Sequence, residues 1–131
     1  MLVSEVLYLK PGEQKNFCIV DAAMNDLMRP AMYEAWQGMV PCKVRDATPH
    51  LYDVVGPVCE SGDWLGRDRS LAVEPGDRIA VLSAGAYGMS MASNYNTRGR
   101  AAEVMVIGGE AHLIREREAP AELFRNERLL R

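Results

Sequence analysis

The sequence predicts an all-β protein, a barrel or sandwich of short strands with one short helix. Short apolar or alternating segments recur at fairly even spacing along the 131 residues, which is typical of both architectures. Clusters of Gly, Pro, Asn and Asp separate these segments and predict turns between them. One segment, near Pro30, has the composition of a short helix with a proline in its first turn. A length of 131 residues suits one domain, and so we expect a single domain.

The first half of the chain predicts three strands and the helix. Leu2–Leu9 alternates loosely between apolar and polar residues and ends at the turn-forming sequence KPGEQKN. Phe17–Val20, the apolar run FCIV, is too short for a helix and suits a buried strand. The helix is expected over Ala31–Trp36, directly after Pro30, and VPCKV (Val40–Val44) predicts the next strand.

The second half predicts further strands and a hairpin. Leu51–Val58 is β-branched and apolar, and Pro57 is expected to end this strand or make it bulge, because proline donates no ladder hydrogen bond. A turn at Pro75–Asp77 leads into a strand over Arg78–Ser83. The clearest hairpin is AEVMVIGGEAHLIRERE, with its turn at Gly108–Gly109. The tail APAELFRNERLLR is consistent with a short helix or with disorder.

Composition argues against several classes of function. A net charge of −3 with scattered arginines does not indicate a nucleic-acid-binding surface, and no apolar run is long enough to cross a membrane. Three widely spaced cysteines, Cys18, Cys42 and Cys59, indicate a reducing compartment, the cytoplasm, rather than a disulfide framework or a zinc site. The two histidines, His50 and His112, are too few and too far apart to suggest a metal cluster.

The loop GPVCESGDWLGRD places a thiol beside a carboxylate among turn residues. An accessible Cys59 on this loop is a candidate proton donor or nucleophile. Like-charge repulsion from Glu60 favours the neutral thiol, which suits a proton donor better than a thiolate nucleophile. The alternative is a buried structural cysteine that merely precedes a surface glutamate.

Arg29 and two tyrosines are further candidates. Arg29 precedes the helix-starting Pro30, where a cation suits a carboxylate or phosphate ligand. Tyr33 follows four residues later, about one helical turn, so both side chains are expected on the same side. Tyr87, in SAGAYG, can direct its hydroxyl into a cleft. The alternative is a surface arginine with Tyr33 in the core and Tyr87 at the edge of the core.

Four segments, taken in order, resemble the C-terminal domain of the diaminopimelate decarboxylase family. They are VDAAMNDLMRPAMYEAW, DVVGPVCESGDWLGRDR, AGAYG and MASNYNTRGRAAEVMV, which together span residues 20–106. The CESGD sequence is the most specific part of the resemblance. The related ornithine and arginine decarboxylases share the architecture but match this loop less closely.

The resemblance implies a Greek-key-like β-barrel, of the kind found at the C-terminus of alanine racemase, within a fold-type III enzyme that depends on pyridoxal 5′-phosphate (PLP). In this family an N-terminal (β/α)8 barrel holds PLP on a lysine, and head-to-tail homodimers form the active sites at their interface. The reaction converts meso-2,6-diaminopimelate to L-lysine and CO2. Residues 1–131 are too few to include that barrel, and Leu2 already lies in a predicted strand. We therefore expect a C-terminal fragment that is inactive alone.

The resemblance also implies a role for each candidate residue. Arg29 would bind a substrate carboxylate, and Tyr33 would contact the substrate beside it. Cys59 would be the proton donor after decarboxylation, acting at the neighbouring subunit's site. Glu60 would bind the distal amino group of the substrate, and Tyr87 would lie near PLP and the substrate.

The sequence is also compatible with two other functions. The chain resembles, less closely, the corresponding domain of an ornithine or arginine decarboxylase. It is also compatible with a stand-alone β-barrel binding or interaction module, although such a module has no evident need for a proton-donating thiol.

Overall fold

A computed structural model describes residues 1–130. The described chain contains strands, two short α-helices and two 3₁₀ turns. The strands are β1 (Leu2–Lys10), β2 (Phe17–Val20), β3 (Met39–Pro41), β4 (His50–Val55), β5 (Trp64–Leu71), β6 (Arg78–Val81), β7 (Glu103–Ile107) and β8 (Glu110–Arg115), and the α-helices are α1 (Met28–Tyr33) and α2 (Pro120–Leu123). The 3₁₀ turns are Met89–Met91 and Tyr95–Thr97.

Six strands form one strongly curved sheet in the order β3-β6-β1-β2-β4-β5. Neighbouring strands are antiparallel except β2 and β4, which run parallel. The two edge strands approach each other. The methyl group of Met39 on β3 packs over Gly66 on β5. A Cβ atom at Gly66 would lie only 2.8 Å from Met39 Cε. The sheet is therefore a nearly closed barrel, and the predicted all-β fold class is confirmed.

The core lies inside this sheet and comes from alternate residues of its strands. On β1, Ser4 and Val6 face inward, whereas Val3 and Leu7 are exposed, as the period of two requires. The fully buried side chains are mostly branched aliphatics: Val6, Val20, Leu27, Val54, Leu65, Leu71, Ile79 and Val81. Each such side chain contributes about 1.5–3 kcal/mol by leaving water, so the barrel supplies a rigid support for the loops around it.

One strand was not predicted. Trp64–Leu71 has the sequence WLGRDRSL, whose glycine and three charges are typical of a loop, yet it pairs with β4 along its length. The pairing is irregular near Asp53, and Asp68 adopts a left-handed φ of 53°. The backbone N–H of Asp68 donates to Asp53 Oδ1 at 2.9 Å. At this irregularity the Asp53 carboxylate accepts a backbone hydrogen bond in place of a strand partner. The sequence pattern does not indicate such a contact.

The other predicted elements differ from the observed ones mainly at their ends. β4 ends at Val55, directly before Gly56–Pro57, as expected from the proline. β3 ends at Pro41, and β6 ends at Val81, so both are shorter than predicted. The tail forms the short helix α2, which makes two α-helices rather than one.

The β7–β8 hairpin forms a separate two-stranded sheet. Its turn lies at the predicted Gly108–Gly109 pair, whose φ angles of 59° and 90° favour glycine. Glu118, just after the hairpin, accepts hydrogen bonds from Asn94 and Arg100 and so ties this part of the chain to the 3₁₀ segment before it. Within residues 1–130, no helix has the length and apolar character needed to span a bilayer.

Candidate active-site surface

Three of the predicted site residues meet at α1. The guanidinium carbon of Arg29 lies 5.6 Å from the ring centroid of Tyr33 and 5.6 Å from that of Tyr87. These are cation–π distances, so both rings contact the cation. Pro30, within α1, is buried, and the helix packs against β5 of the barrel. We call Arg29, Tyr33 and Tyr87 the Arg29 cluster.

Backbone strain sets the position of Tyr87. Its φ is 55°, a conformation that bulky residues rarely adopt and that is often found at functional sites. The following residue must be Gly88, because a Cβ atom there would lie 2.2 Å from the carbonyl oxygen of Ala84. The tight AGAYG turn therefore presents the Tyr87 ring outward, 62% exposed, toward Arg29.

Cys59 and Glu60 lie on the loop that joins β4 to β5, residues 56–63, which we call the Cys59–Glu60 loop. Cys59 is an exposed free thiol, and so the alternative of a buried structural cysteine is wrong. Cys18 is the buried one, and burial raises the pKa of its thiol to about 11.

Two hydrogen bonds orient the Glu60 carboxylate. The backbone N–H of Gly62 donates to Oε1 at 3.0 Å, and the hydroxyl of Tyr95 donates to Oε2 at 3.1 Å. The Gly62 bond, followed by the Tyr95 bond, holds the pKa of Glu60 below its ordinary value. Glu60 is therefore an oriented anion at neutral pH, suited to an ammonium group.

Tyr95 is a further site residue that single motifs do not reveal. It lies in the segment MASNYN, and its neighbour Asn94 is held by Glu118 at 2.7 Å. The bond to Glu60 raises the pKa of Tyr95, so its hydroxyl stays a donor at neutral pH. The only signal in the sequence is that this segment belongs to the same resemblance as the CESGD loop.

The structure thus brings the candidate residues into two groups on the surface of one domain. The Arg29 cluster offers a cation in contact with two rings, and the Cys59–Glu60 loop offers an anion beside a thiol. The two rings of the first group are exposed, Tyr33 by 58% and Tyr87 by 62%, and so is Trp36, three residues after α1, by 74%. Exposed aromatic surface of this kind is typical of a face that another protein part covers. Among residues 1–130, no three His, Cys, Asp or Glu side chains converge as a metal site would require.

The fold belongs to a known family of protein domains. Residues 1–85 match the family of C-terminal sheet domains of pyridoxal-dependent decarboxylases. The chain belongs to this family.

Individual relatives are more specific. The chain is 58% identical over 130 residues to a diaminopimelate decarboxylase from Pseudomonas aeruginosa and 54% identical over 130 residues to one from Vibrio cholerae. Each alignment covers 99% of this chain and 31% of the relative. A crystal structure of diaminopimelate decarboxylase from M. jannaschii, in co-complex with L-lysine, superimposes with a TM-score of 0.94 at 43% identity and covers 98% of this chain and 30% of that one. The chain thus spans about a third of the length of the relatives it matches.

Proposed function

We propose that the chain forms one side of the active site of a decarboxylase that converts meso-2,6-diaminopimelate to L-lysine and CO2. The observation that carries this proposal is that one domain presents both a cation in contact with two tyrosines and an oriented anion next to an accessible thiol. The 58% identity to a diaminopimelate decarboxylase supports the choice of substrate. A dicarboxylic, diamino substrate needs complementary charges of both signs.

Each side chain then has a chemical task. Arg29 binds a substrate carboxylate, with Tyr33 packed beside it to limit its motion. Glu60 binds the ammonium group at the distal end of the substrate. The Cys59 thiol gives its proton to the carbon that has lost CO2, as a general acid does. Tyr87, whose ring also contacts Arg29, lies near the substrate and the cofactor.

PLP is implied by the family, and we infer that another domain holds it. When bound, PLP takes up the electron pair that remains after CO2 departs. The three lysines of this chain are Lys10, Lys15 and Lys43, and none lies in the segments that carry the site residues. Lys15 instead donates to Asp53 at 2.9 Å. The exposed ring of Tyr87 is compatible with a cofactor presented from outside this domain.

We further propose the assembly. Residues 1–131 constitute a single β-barrel domain, the C-terminal part of an enzyme whose PLP-binding domain is a (β/α)8 barrel. Two such subunits form a homodimer in which Cys59 acts at the partner's site. The free thiols of Cys42 and Cys59 are compatible with the reducing cytoplasm.

The test compares the complete enzyme with the 131-residue chain. Both are incubated with meso-diaminopimelate and PLP, and the release of CO2 and formation of lysine are measured. The complete enzyme should form lysine, whereas the chain alone should form none. Consumption of only ornithine or arginine would assign the domain to a related decarboxylase. A native protein of 14.5 kDa without any decarboxylase partner would favour a stand-alone binding module.

A further inference from the structure

Asp63 is a buried carboxylate that none of the roles above uses. Only 3% of its surface is exposed, although it lies on the same short loop as the exposed Cys59 and Glu60. Buried carboxylates are uncommon unless they are fully hydrogen-bonded. The hydrogen-bond donors to the Asp63 carboxylate therefore indicate its role.

Both oxygens of Asp63 accept hydrogen bonds from backbone, and the two donors belong to different segments. Val58 N–H donates to Oδ2 at 2.9 Å, within the Cys59–Glu60 loop. Met24 N–H donates to Oδ1 at 2.7 Å, and Met24 lies in the segment that leads into α1. One carboxylate thus connects the backbone beside Cys59 to the backbone that runs toward Arg29.

The main chain of Asp63 closes the same loop. Its N–H donates to the carbonyl of Glu60 at 3.0 Å, and its own carbonyl accepts from Gly56 N–H at 3.0 Å. The carboxylate also fills the space over Gly56, where a Cβ atom would lie 2.3 Å from Oδ2. Four hydrogen bonds and a steric requirement converge on one residue.

Asn25, the residue after Met24, connects the same backbone to the segment that contains Tyr95. Its backbone carbonyl accepts from Ser93 N–H at 3.0 Å, and its side-chain amide donates to the Ser93 carbonyl at 3.3 Å. Arg98 Nε donates to Asn25 Oδ1 at 2.9 Å. The backbone at residues 24 and 25 is therefore the place where the loop, the Tyr95 segment and the approach to α1 are joined.

We propose that Asp63 is a positioning residue, which holds the Cys59–Glu60 loop in a fixed relation to the segment preceding the Arg29 cluster. This inference rests on the proposed function. Without the Asp63 carboxylate, the loop loses its attachment to Met24, and the Cys59 thiol and the Glu60 carboxylate are no longer held in their reactive positions. Misplacement of about 1 Å lowers catalysis by up to about a hundredfold.

The test uses D63N in the complete enzyme with D77N as the matched control. Asp77 is likewise a carboxylate that accepts from backbone, at Glu74 N–H (2.9 Å), and from Arg45 (2.7 Å), but it lies in the turn before β6. We expect D63N to lower kcat/KM for meso-diaminopimelate about 10- to 100-fold. We also expect it to reduce the preference for this substrate over D-2-aminopimelate, which lacks the distal ammonium that Glu60 binds. D77N should lower the melting temperature while keeping that preference.

A role in stability alone would give a different result. D63N and D77N would then lower the melting temperature alike and leave substrate preference unchanged, which overturns the proposal. If D63N does not fold, D63E serves instead. It keeps both acceptor oxygens but displaces them by one methylene, so the proposal requires a reduced preference in a folded protein, and an unchanged preference overturns it.

Hydrogen exchange separates this inference from the proposed function. In D63N, amide exchange should accelerate in residues 21–28 and 56–63 together, and in D77N it should accelerate around residues 74–78 only. This comparison needs no substrate. If the wild-type enzyme does not act on meso-diaminopimelate, the proposed function fails, and paired acceleration still supports the anchoring by Asp63. Acceleration in one of the two segments alone overturns it.

Discussion

Replacing Gly56 by alanine tests how rigidly the Cys59–Glu60 loop is built. The new Cβ atom would lie 2.3 Å from Asp63 Oδ2 and 2.6 Å from Oδ1, far inside any normal contact. The carboxylate has little freedom to yield, because Val58 and Met24 hold its two oxygens. The loop backbone therefore shifts, and a hydrogen bond to the buried carboxylate is broken as well.

The magnitude follows from these contacts. Overpacking a close-packed site costs about 1–3 kcal/mol, and losing one hydrogen bond to a charged group costs about 1.5–3 kcal/mol. The reduced entropy of the unfolded chain offsets up to about 1 kcal/mol of this. Gly56→Ala should therefore lower the free energy of unfolding by about 2–5 kcal/mol. With a urea m-value of about 1.5 kcal/mol per M, the midpoint should fall by about 1 to 3 M.

The measurement is urea unfolding monitored by tryptophan fluorescence, with Gly85→Ala as the control. Gly85 has no atom within 4 Å of an added Cβ and no left-handed φ, so its replacement should change the stability by less than about 0.5 kcal/mol. If Gly56→Ala unfolds at the same urea concentration as Gly85→Ala, the Asp63 carboxylate is not fixed over Gly56. Asp63 would then not be what makes the loop rigid.

Four further predictions concern the site and its supports. Cys59→Ala should lower kcat about a hundredfold or more in the complete enzyme, as loss of a general acid does. An unchanged kcat would show that the thiol is not the proton donor. Tyr95→Phe should raise KM about three- to tenfold by releasing Glu60, whereas Tyr8→Phe, at another exposed tyrosine, should not. Mixing inactive Cys59→Ala and Arg29→Ala subunits should restore about one quarter of the wild-type activity if the two residues serve different sites of a two-fold dimer; no recovery would place them in one site. Hydrogen bonds from Arg100 and Asn94 lower the pKa of Glu118 from 4.5 to about 2, so the stability it contributes is present above pH 4.5 and is lost as the pH falls toward 2. Urea midpoints measured through this range should decline less in Glu118→Gln than in the wild type, and equal slopes would contradict the assignment.

The fold was predictable where side-chain pattern and turn chemistry agree. FCIV became β2, Pro57 follows the end of β4, and the Gly108–Gly109 pair forms the predicted turn. β5 was missed because its inward residues, Leu65 and Leu71, are separated by glycine and charges. Its place in the sheet depends on β4 and on the side chain of Asp53, which are tertiary features that no local window contains.

The candidate site was predictable only in part, for a related reason. The spacing of Arg29 and Tyr33 follows from one helical turn, so their proximity could be expected from sequence. The bond between Tyr95 and Glu60 joins residues 35 positions apart, and the bond between Met24 and Asp63 joins residues 39 positions apart. Nothing in either local sequence specifies its partner. The roles of the five residues in catalysis remain predictions.

The distribution of polar anchors explains how an open surface keeps a defined geometry. The apolar core fixes β4 and β5, but the loop between them has no apolar side chain buried in the core and must be held by hydrogen bonds. Asp63 is buried and makes these hydrogen bonds, and its low exposure to solvent strengthens each of them. Glu60 is oriented from outside by Tyr95, where solvent weakens the bond. The position of the loop should therefore persist in the absence of substrate, and Tyr95 should keep the Glu60 carboxylate oriented while an ammonium group binds to it.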